Sequence, residues 1–251
     1  MSSFAKMYIE KIVDLLNRIS SEEDSNFNAA AKILADAIED NGRIFAWGST
    51  HSATTMQDIY LRAGGLALIN AIFIPGLEAL HTKPFGITSK IERLQGYAEI
   101  ALDCTPIRKG DVLIVVSVSG RNAVPIEFAK VAKERRIKVI AITGLDYSKS
   151  VEPRHPDGKN MYEYADVVLD NKAIAGDAIM EAEGMKQKFC PASGITSTAV
   201  LQCMVAATVE ELLARGITPP VFMAANVDGG DEYNKKMLAE NRDRIFYLKP
   251  E

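Results

Sequence analysis

Residues 111–136 read DVLIVVSVSGRNAVPIEFAKVAKERR, and this stretch decides the fold class. Its unbroken apolar run, VLIVV, predicts a strand that is buried on both faces. A turn of serine, glycine and asparagine follows, and the apolar spacing after that turn predicts a helix. A buried strand that passes through a glycine turn into a helix is the unit from which parallel α/β sheets are built.

The same pattern recurs along the chain. Short apolar runs that end in turns predict further strands in RIFAW (43–47), LALINAIFIPG (66–76), KVIAITG (138–144) and ADVVLDN (165–171), and a long apolar pattern predicts a helix at 194–214. Strands that alternate with helices pair in parallel through right-handed crossovers. We therefore expect an α/β fold with a doubly wound, mostly parallel sheet, a flavodoxin-like three-layer sandwich.

The first 42 residues predict a helical extension of this domain. Residues 4–19 have apolar side chains at helical spacing, and a second helix is expected to start at a cap on Ser20 or Ser21 and to stop at Asn41 and Gly42. We assign residues 1–42 to an N-terminal helical segment packed on the same domain and residues 43–251 to the α/β domain.

Composition excludes several classes of function. A net charge of -4 and a pI near 5.6 give no bulk attraction to nucleic acid or to an anionic membrane. The three cysteines, Cys104, Cys190 and Cys203, form no CxxC pair, so neither a disulfide framework nor a zinc site is predicted, and we expect no metal or other cofactor. No apolar run approaches the roughly 20 residues of a membrane span. We expect a cytoplasmic protein.

Ligands of such sheets bind beyond the carboxyl ends of the strands, which directs attention to the turns at 48–52, 117–122 and 143–150. In the second turn, Ser117, Ser119 and Asn122 offer hydrogen bonds, and Gly120 lets the backbone approach a ligand beside the start of a helix. This arrangement suits a compact anion with several oxygens, such as a phosphate. The alternative is that these side chains only cap the helix.

Two common phosphate motifs are missing from the sequence. No G-x-x-x-x-G-K-[ST] occurs, which argues against nucleoside triphosphate hydrolysis, and no G-x-G-x-x-G follows the first strand, which argues against a dinucleotide site. A hydroxyl-lined cup for an anion remains.

The residues of this cup carry a family resemblance. SVSGRN resembles the S-x-S-G phosphate loop of the SIS (sugar isomerase) domain family, WGSTHS resembles its other sugar-phosphate turn, and ASGITSTAVLQCMVAATVEELL resembles the start of its last long helix. Stretches such as LRAGGL, ERLQGYAEI and GDAIMEAEGM extend the resemblance over nearly the whole chain, toward bacterial phosphosugar-binding and phosphoheptose isomerase-like proteins.

The resemblance implies roles for individual residues. Ser117, Ser119 and Asn122 match the phosphate-binding positions, and Ser49, Thr50 and Ser52 offer hydroxyls from the first turn. Arg121 is an addition that can grip an anion bidentately, and that anion is a phosphate or a sulfonate. SIS sites commonly form where subunits meet, so the resemblance also implies a homo-oligomer, a dimer or tetramer, with the site near the interface.

Interconversion of an aldose and a ketose requires a base and an acid, and four residues are candidates. His51 lies in the first ligand turn, Asp58 in the helix that follows, and Glu78 and His81 in the loop after the second strand. Similar proteins commonly carry two glutamates where this chain has Gln57 and Asp58. This departure leaves the identity of the base open.

Two classes of function follow from these residues. The first is an isomerase that interconverts aldose and ketose forms of a phosphorylated or sulfonated sugar through a metal-free enediol. The second is a non-catalytic sensor that binds the same anionic sugar, and a lyase or etherase on the same scaffold is a further alternative. The N-terminal helices lack a basic recognition face, which favours the enzyme over a DNA-binding regulator.

Overall fold

The computed structural model describes residues 3–78, 83–84 and 86–248. Its centre is a five-stranded sheet in the order β2-β1-β3-β4-β5, and all paired strands run parallel. The strands are β1 (Ile44–Gly48), β2 (Ile69–Ala71), β3 (Val112–Val116), β4 (Lys138–Thr143) and β5 (Val167–Asp170). The predicted parallel α/β sheet is confirmed, although β2 is much shorter than the apolar run 66–76.

Helices flank this sheet and connect its strands. They are α1 (Phe4–Glu22), α2 (Asp24–Glu39), α3 (His51–Gln57), α4 (Ile87–Ile91), α5 (Tyr97–Asp103), α6 (Ala123–Glu134), α7 (Leu145–Lys149), α8 (Ser193–Ala214) and α9 (Gly230–Glu240). Short 3-10 helices occupy Met161–Tyr164 and Arg242–Arg244. A small antiparallel hairpin of β6 (Ala178–Met180) and β7 (Phe189–Pro191) precedes α8 and was not predicted.

Alternating strand residues feed two separate cores, as the period-2 geometry of a strand requires. Ile44 and Ala46 of β1 face a core completed by α2 and α8, whereas Phe45 and Trp47 face a core completed by α5 and α6. On the second face the Trp47 ring stacks on Phe128 with ring centroids 4.1 Å apart. Two apolar layers on one sheet give the predicted three-layer sandwich.

The N-terminal helices pack on this sandwich, with α2 lying along α8. The predicted cap of α2 at Ser20 or Ser21 is wrong, because both serines lie inside α1 and the residue before α2 is Glu23. Glu23 is buried and accepts hydrogen bonds from Lys172 Nζ (2.6 Å) and from the backbone N–H of Asp170 (3.2 Å). Tertiary contacts therefore set this helix boundary. The division at residue 42 stays a prediction.

The expectation that no apolar segment reaches membrane length needs correction. Within the part of the chain that the structure describes, α8 is long and apolar enough to cross a membrane, with a mean hydropathy of 1.3. The helix contributes Val200, Leu201 and Met204 to the core beside the sheet. Core helices of soluble proteins have the same length and composition.

Candidate functional site

The sheet order creates a crevice between β1 and β3. These strands are neighbours, and Gly48 at the end of β1 lies opposite Val116 at the end of β3. The chain leaves β1 toward β2 on one side of the sheet and continues from β3 toward β4 and β5 on the other. The connections thus diverge at this point, which is where doubly wound sheets bind ligands. A cavity of about 560 Å³ opens there.

This cavity collects most of the predicted ligand residues. Its walls include Ser49, Thr50, His51, Ser52, Asp58, Ser117, Ser119 and Asn122. Glu78, Gly120 and Arg121 do not line it, and His81 lies outside the described residues. The two predicted turns therefore form one site. The side chains of Glu78 and Arg121 are not part of its wall.

The first ligand turn depends on a close approach of backbone segments. A Cβ atom added to Gly48 would lie 2.6 Å from the carbonyl oxygen of Ser52, so only glycine fits there without displacement. Thr50 has a φ of 53°, a region that costs a residue with a side chain of order 1–3 kcal/mol. Its N–H donates to the Leu77 carbonyl (3.2 Å). The turn is tightly fixed at the cavity wall.

The second ligand turn closes on itself and opens toward α6. Gly120 has a φ of 59° and donates its N–H to Ser117 Oγ (3.3 Å), while the Val118 carbonyl accepts from Thr143 Oγ1 (3.0 Å). Asn122 precedes α6, but its side chain makes no capping hydrogen bond to that helix. The alternative that this asparagine serves only as a helix cap is therefore wrong.

A carboxylate that sequence reasoning missed joins the two turns. Glu92 lines the cavity, and its Oε1 accepts from Ser49 Oγ (2.6 Å) while its Oε2 accepts from Asn122 Nδ2 (2.8 Å). Both donors are neutral groups, and one comes from each turn. Glu92 lies in the stretch ERLQGYAEI, which entered the family resemblance, but only tertiary structure brings residues 49, 92 and 122 together.

Asp58 lines the cavity as predicted, at the end of α3, but it is already engaged. Its Oδ1 forms an ion pair with Arg62 Nη1, and its Oδ2 accepts from Gln202 Nε2 of α8 (2.9 Å). These contacts tie the end of α3 to α8, so the Asp58 carboxylate has a structural role in this arrangement.

A third wall comes from residues that were not predicted. Asp177, Ser193, Gly194 and Thr198 line the cavity around the start of α8, and Tyr147 of α7 joins them. Asp177 Oδ1 accepts from the Ser193 N–H (2.8 Å) and its Oδ2 from Ser193 Oγ (2.5 Å), so Asp177 caps the helix. The serine-rich start of α8 was a visible signal, whereas the hairpin that delivers Asp177 was not.

His51 is the first residue of α3 and lines the cavity with an exposed side chain. An imidazole in that position has access both to solvent and to a bound ligand, as a proton carrier requires. Among the described residues, no group of three His, Cys, Asp or Glu side chains could hold a metal ion.

Comparisons with known proteins identify the family of this chain. The SIS domain family matches residues 7–144 of the chain. Two relatives named "UPF0309 protein", from Streptomyces griseus and Oceanobacillus iheyensis, are each 42% identical over 246 residues and cover 98% of this chain; the match spans 98% and 100% of their own lengths.

Solved structures show the same fold at low sequence identity. A phosphoheptose isomerase from Francisella tularensis superposes with a TM-score of 0.52 at 16% identity, covering 84% of this chain and 100% of that one. A phosphoheptose isomerase from Neisseria gonorrhoeae gives a TM-score of 0.52 at 19% identity, covering 81% and 96%. From the match to the family and the similarity to these relatives along nearly its full length, the chain belongs to the SIS domain family, among the UPF0309 proteins.

Proposed function

We propose that the protein binds a phosphorylated sugar in the cavity and interconverts its aldose and ketose forms through an enediolate. Membership of the SIS domain family supports a phosphosugar-related function. The observation that carries the proposal for the reaction is the Glu92 carboxylate, which joins both ligand turns inside the cavity wall. A sulfonated sugar carries the same kind of anionic end and belongs to the same proposal.

The second turn supplies the grip on the anionic end of the sugar. Ser117, Ser119 and Asn122 present polar groups there, beside the start of the 12-residue helix α6. The Val124 N–H donates to the Glu92 carbonyl (3.1 Å) and Pro125 has no N–H, so α6 acts on a bound anion mainly through its dipole, which favours a negative charge. A phosphoryl group bound at this point leaves the sugar chain to extend toward the first turn and Glu92.

Glu92 is then the best base for the carbon-bound proton. Its carboxylate is hydrogen-bonded by a hydroxyl and an amide, whereas Asp58 is paired with the Arg62 guanidinium. Glu92 removes the C2 proton of the aldose, and the electron pair of that bond forms the C1–C2 double bond of the enediolate. The protonated Glu92 carboxyl, whose proton exchanges with solvent, then delivers a proton to C1 to give the ketose.

His51 completes the proton movements at oxygen. As the electrons shift, O1 of the sugar takes up a proton and O2 loses one, so a single group that carries a proton between them balances the reaction. His51 lines the cavity, and an imidazole has one ring nitrogen to accept a proton and another to donate one. The ion pair that engages Asp58 favours the alternative function, a sensor that binds the sugar without turning it over.

Conversion followed by NMR separates these functions. The full chain is incubated with aldose phosphates of five to seven carbons and with one 6-sulfonated hexose, and the ketose is quantified. We expect conversion of at least one sugar, loss of its binding in Ser119→Ala, and a rate about 10²–10⁴-fold lower in Glu92→Gln. Glu134→Gln, at the exposed end of α6, is the matched control. Binding that depends on Ser119 without conversion would establish the sensor instead.

A further inference from the structure

Three arginines lie together behind the second ligand turn, and we call Arg93, Arg121 and Arg154 the arginine cluster. The Arg154 N–H donates to the Arg121 carbonyl (2.6 Å), and Arg154 Nη1 donates to Asn122 Oδ1 (2.8 Å). Arg93 directly follows Glu92, which accepts from the other end of the same Asn122 amide (2.8 Å). The Asn122 side chain is therefore the point around which the cluster is arranged.

The three guanidinium groups are close enough for their charges to repel one another. Burial and the charges of Arg121 and Arg93 lower the pKa of Arg154, although the Glu92 carboxylate acts in the opposite direction. Three positive charges and one carboxylate leave a local excess of positive charge. Such an excess stands out in a chain that carries 33 acidic and 29 basic residues.

Arg121 and Arg154 have neutral hydrogen-bond partners, whereas several other arginines of this protein, among them Arg43 and Arg215, are paired with carboxylates. Arg121 Nε donates to the Glu152 carbonyl (3.0 Å), and Arg154 donates to the Asn122 amide. Within residues 3–78, 83–84 and 86–248, no carboxylate lies within 4.0 Å of the three guanidinium groups. By contrast, Arg215 is paired with three carboxylates. The cluster therefore keeps its capacity for charged hydrogen bonds.

Gathering like charges costs free energy, which a bound anion offsets. Guanidinium groups are planar forks that match the oxygens of a phosphoryl group and form charge-assisted hydrogen bonds with it. Arg93 and Arg154 are exposed and Arg121 is half-buried, so an anion from solvent has access to them. The three side chains do not line the cavity, which separates the cluster from the cup of Ser117 and Ser119.

We propose that the arginine cluster is a second anion site, which binds a phosphoryl group next to the cavity and is distinct from the cup formed by the second turn. The phosphoryl group belongs either to the far end of a bisphosphorylated sugar or to a separate small phosphorylated molecule. The existence of this site does not depend on isomerase activity, because binding is measured without turnover.

Titration of the full chain with inorganic phosphate at low ionic strength, by calorimetry, tests the site. We expect two binding events per chain, of which Ser119→Ala removes one. Arg93→Gln should weaken the other at least about tenfold, since a hydrogen bond to a charged group contributes about 1.5–3 kcal/mol. Arg154→Gln should do the same. Arg108→Gln removes an exposed arginine near the opposite edge of the sheet, before β3, and should change neither event.

Arg93→Gln is the decisive variant, because within the described residues the Arg93 side chain makes no hydrogen bond or ion pair that its loss could disrupt. A single binding event that Ser119→Ala abolishes, or two events that Arg93→Gln and Arg154→Gln leave unchanged, would overturn the proposal.

Two sugars then identify the source of the phosphoryl group. If one ligand carries both groups, fructose 1,6-bisphosphate should bind more tightly than fructose 6-phosphate, and Arg93→Gln should remove that difference. If the second phosphoryl group comes from a separate molecule, fructose 6-phosphate and inorganic phosphate should bind together, and Arg93→Gln should weaken only the phosphate. If the protein converts none of the sugars but still shows both phosphate-binding events, the proposed function is contradicted and the second anion site is retained.

Discussion

Replacement of Lys172 by methionine should destabilise the fold strongly, because this lysine neutralises a buried group of acids. Its Nζ lies 2.6 Å from Glu23 Oε1, 3.0 Å from Asp170 Oδ2 and 3.1 Å from Glu22 Oε2. The side chains of Lys172, Glu23 and Asp170 are only 6%, 4% and 10% exposed. The network ties the junction of α1 and α2 to the carboxyl end of β5, where the N-terminal helices meet the sheet.

The size of the effect follows from burial. Removing one partner of a buried ion pair leaves an uncompensated charge and costs about 3–5 kcal/mol. In a domain of this size, such a loss lowers the melting temperature by about 6–20 °C. Lys138→Met is the matched control, since Lys138 pairs with Asp166 at 2.9 Å but is 60% exposed. Its loss should cost under about 1 kcal/mol.

The effect of Lys172 also has a definite pH dependence. Burial alone would lower the pKa of Lys172, but hydrogen bonds to the carboxylates of Glu23 and Asp170 outweigh it and raise the pKa above its usual 10.5. The stabilisation is complete below that value and is lost as the pH rises through the higher pKa of the folded state. Urea denaturation should therefore give a constant difference between wild type and Lys172→Met from pH 6 to 9 and a smaller one above about pH 10. If Lys172→Met lowers the free energy of unfolding no more than Lys138→Met does, the reasoning is refuted.

Three further substitutions test the cavity walls and a half-buried phenol. Gly48→Ala should cost about 1–3 kcal/mol in thermal denaturation and abolish sugar binding, because the new Cβ would lie 2.6 Å from the Ser52 carbonyl oxygen. Asp177→Ala removes the acceptor of the Ser193 N–H and hydroxyl at the start of α8, and should cost about 1–2 kcal/mol by urea denaturation. Burial, with a neighbouring carboxylate, raises the pKa of Tyr164 to about 12. Between pH 10 and 12 the unfolded chain thus loses a proton that the folded chain keeps, so the stability of wild type should fall more steeply with pH than that of Tyr164→Phe.

Each of these substitutions has its own control or contrary result. Gly194→Ala also adds a methyl group at the cavity, but nothing lies within 4 Å of the new Cβ, so its stability should match or exceed that of wild type. If Gly48→Ala and Gly194→Ala lose the same amount of stability in thermal denaturation, the packing argument is contradicted. Unchanged stability of Asp177→Ala would show that this carboxylate does not cap α8. If the free energy of unfolding changes with pH in the same way in wild type and Tyr164→Phe, the raised pKa does not belong to Tyr164.

The sheet and its ligand edge could be predicted because local sequence determines them. The apolar run of β3 leads directly into Ser117, Gly120 and α6, so strand, turn and helix are read from one continuous stretch. Parallel pairing then brings the turns after β1 and β3 to the same edge. The pattern therefore contained both the fold class and two of the turns that line the cavity.

The site residues that sequence reasoning missed depend on contacts across the chain. Glu92 is a site residue because Ser49 and Asn122, 43 and 30 positions away, both donate to it. Arg121 was expected to reach the ligand, but its guanidinium turns to the Glu152 carbonyl instead. The start of α2 moved from the predicted serine cap to Glu23, which accepts a hydrogen bond from Lys172 after the end of β5.

The uptake of solvent deuterium at C2 tests the central claim most directly. The sugar phosphate that the full chain converts is incubated in D2O, and the C2 signal of the aldose is followed by proton NMR. Glu92 as the base predicts exchange at C2 in wild type, exchange that slows with conversion in Glu92→Gln, and exchange that persists in Glu134→Gln. Conversion or exchange that survives unchanged in Glu92→Gln would contradict the assignment of Glu92 as the base that joins the two ligand turns.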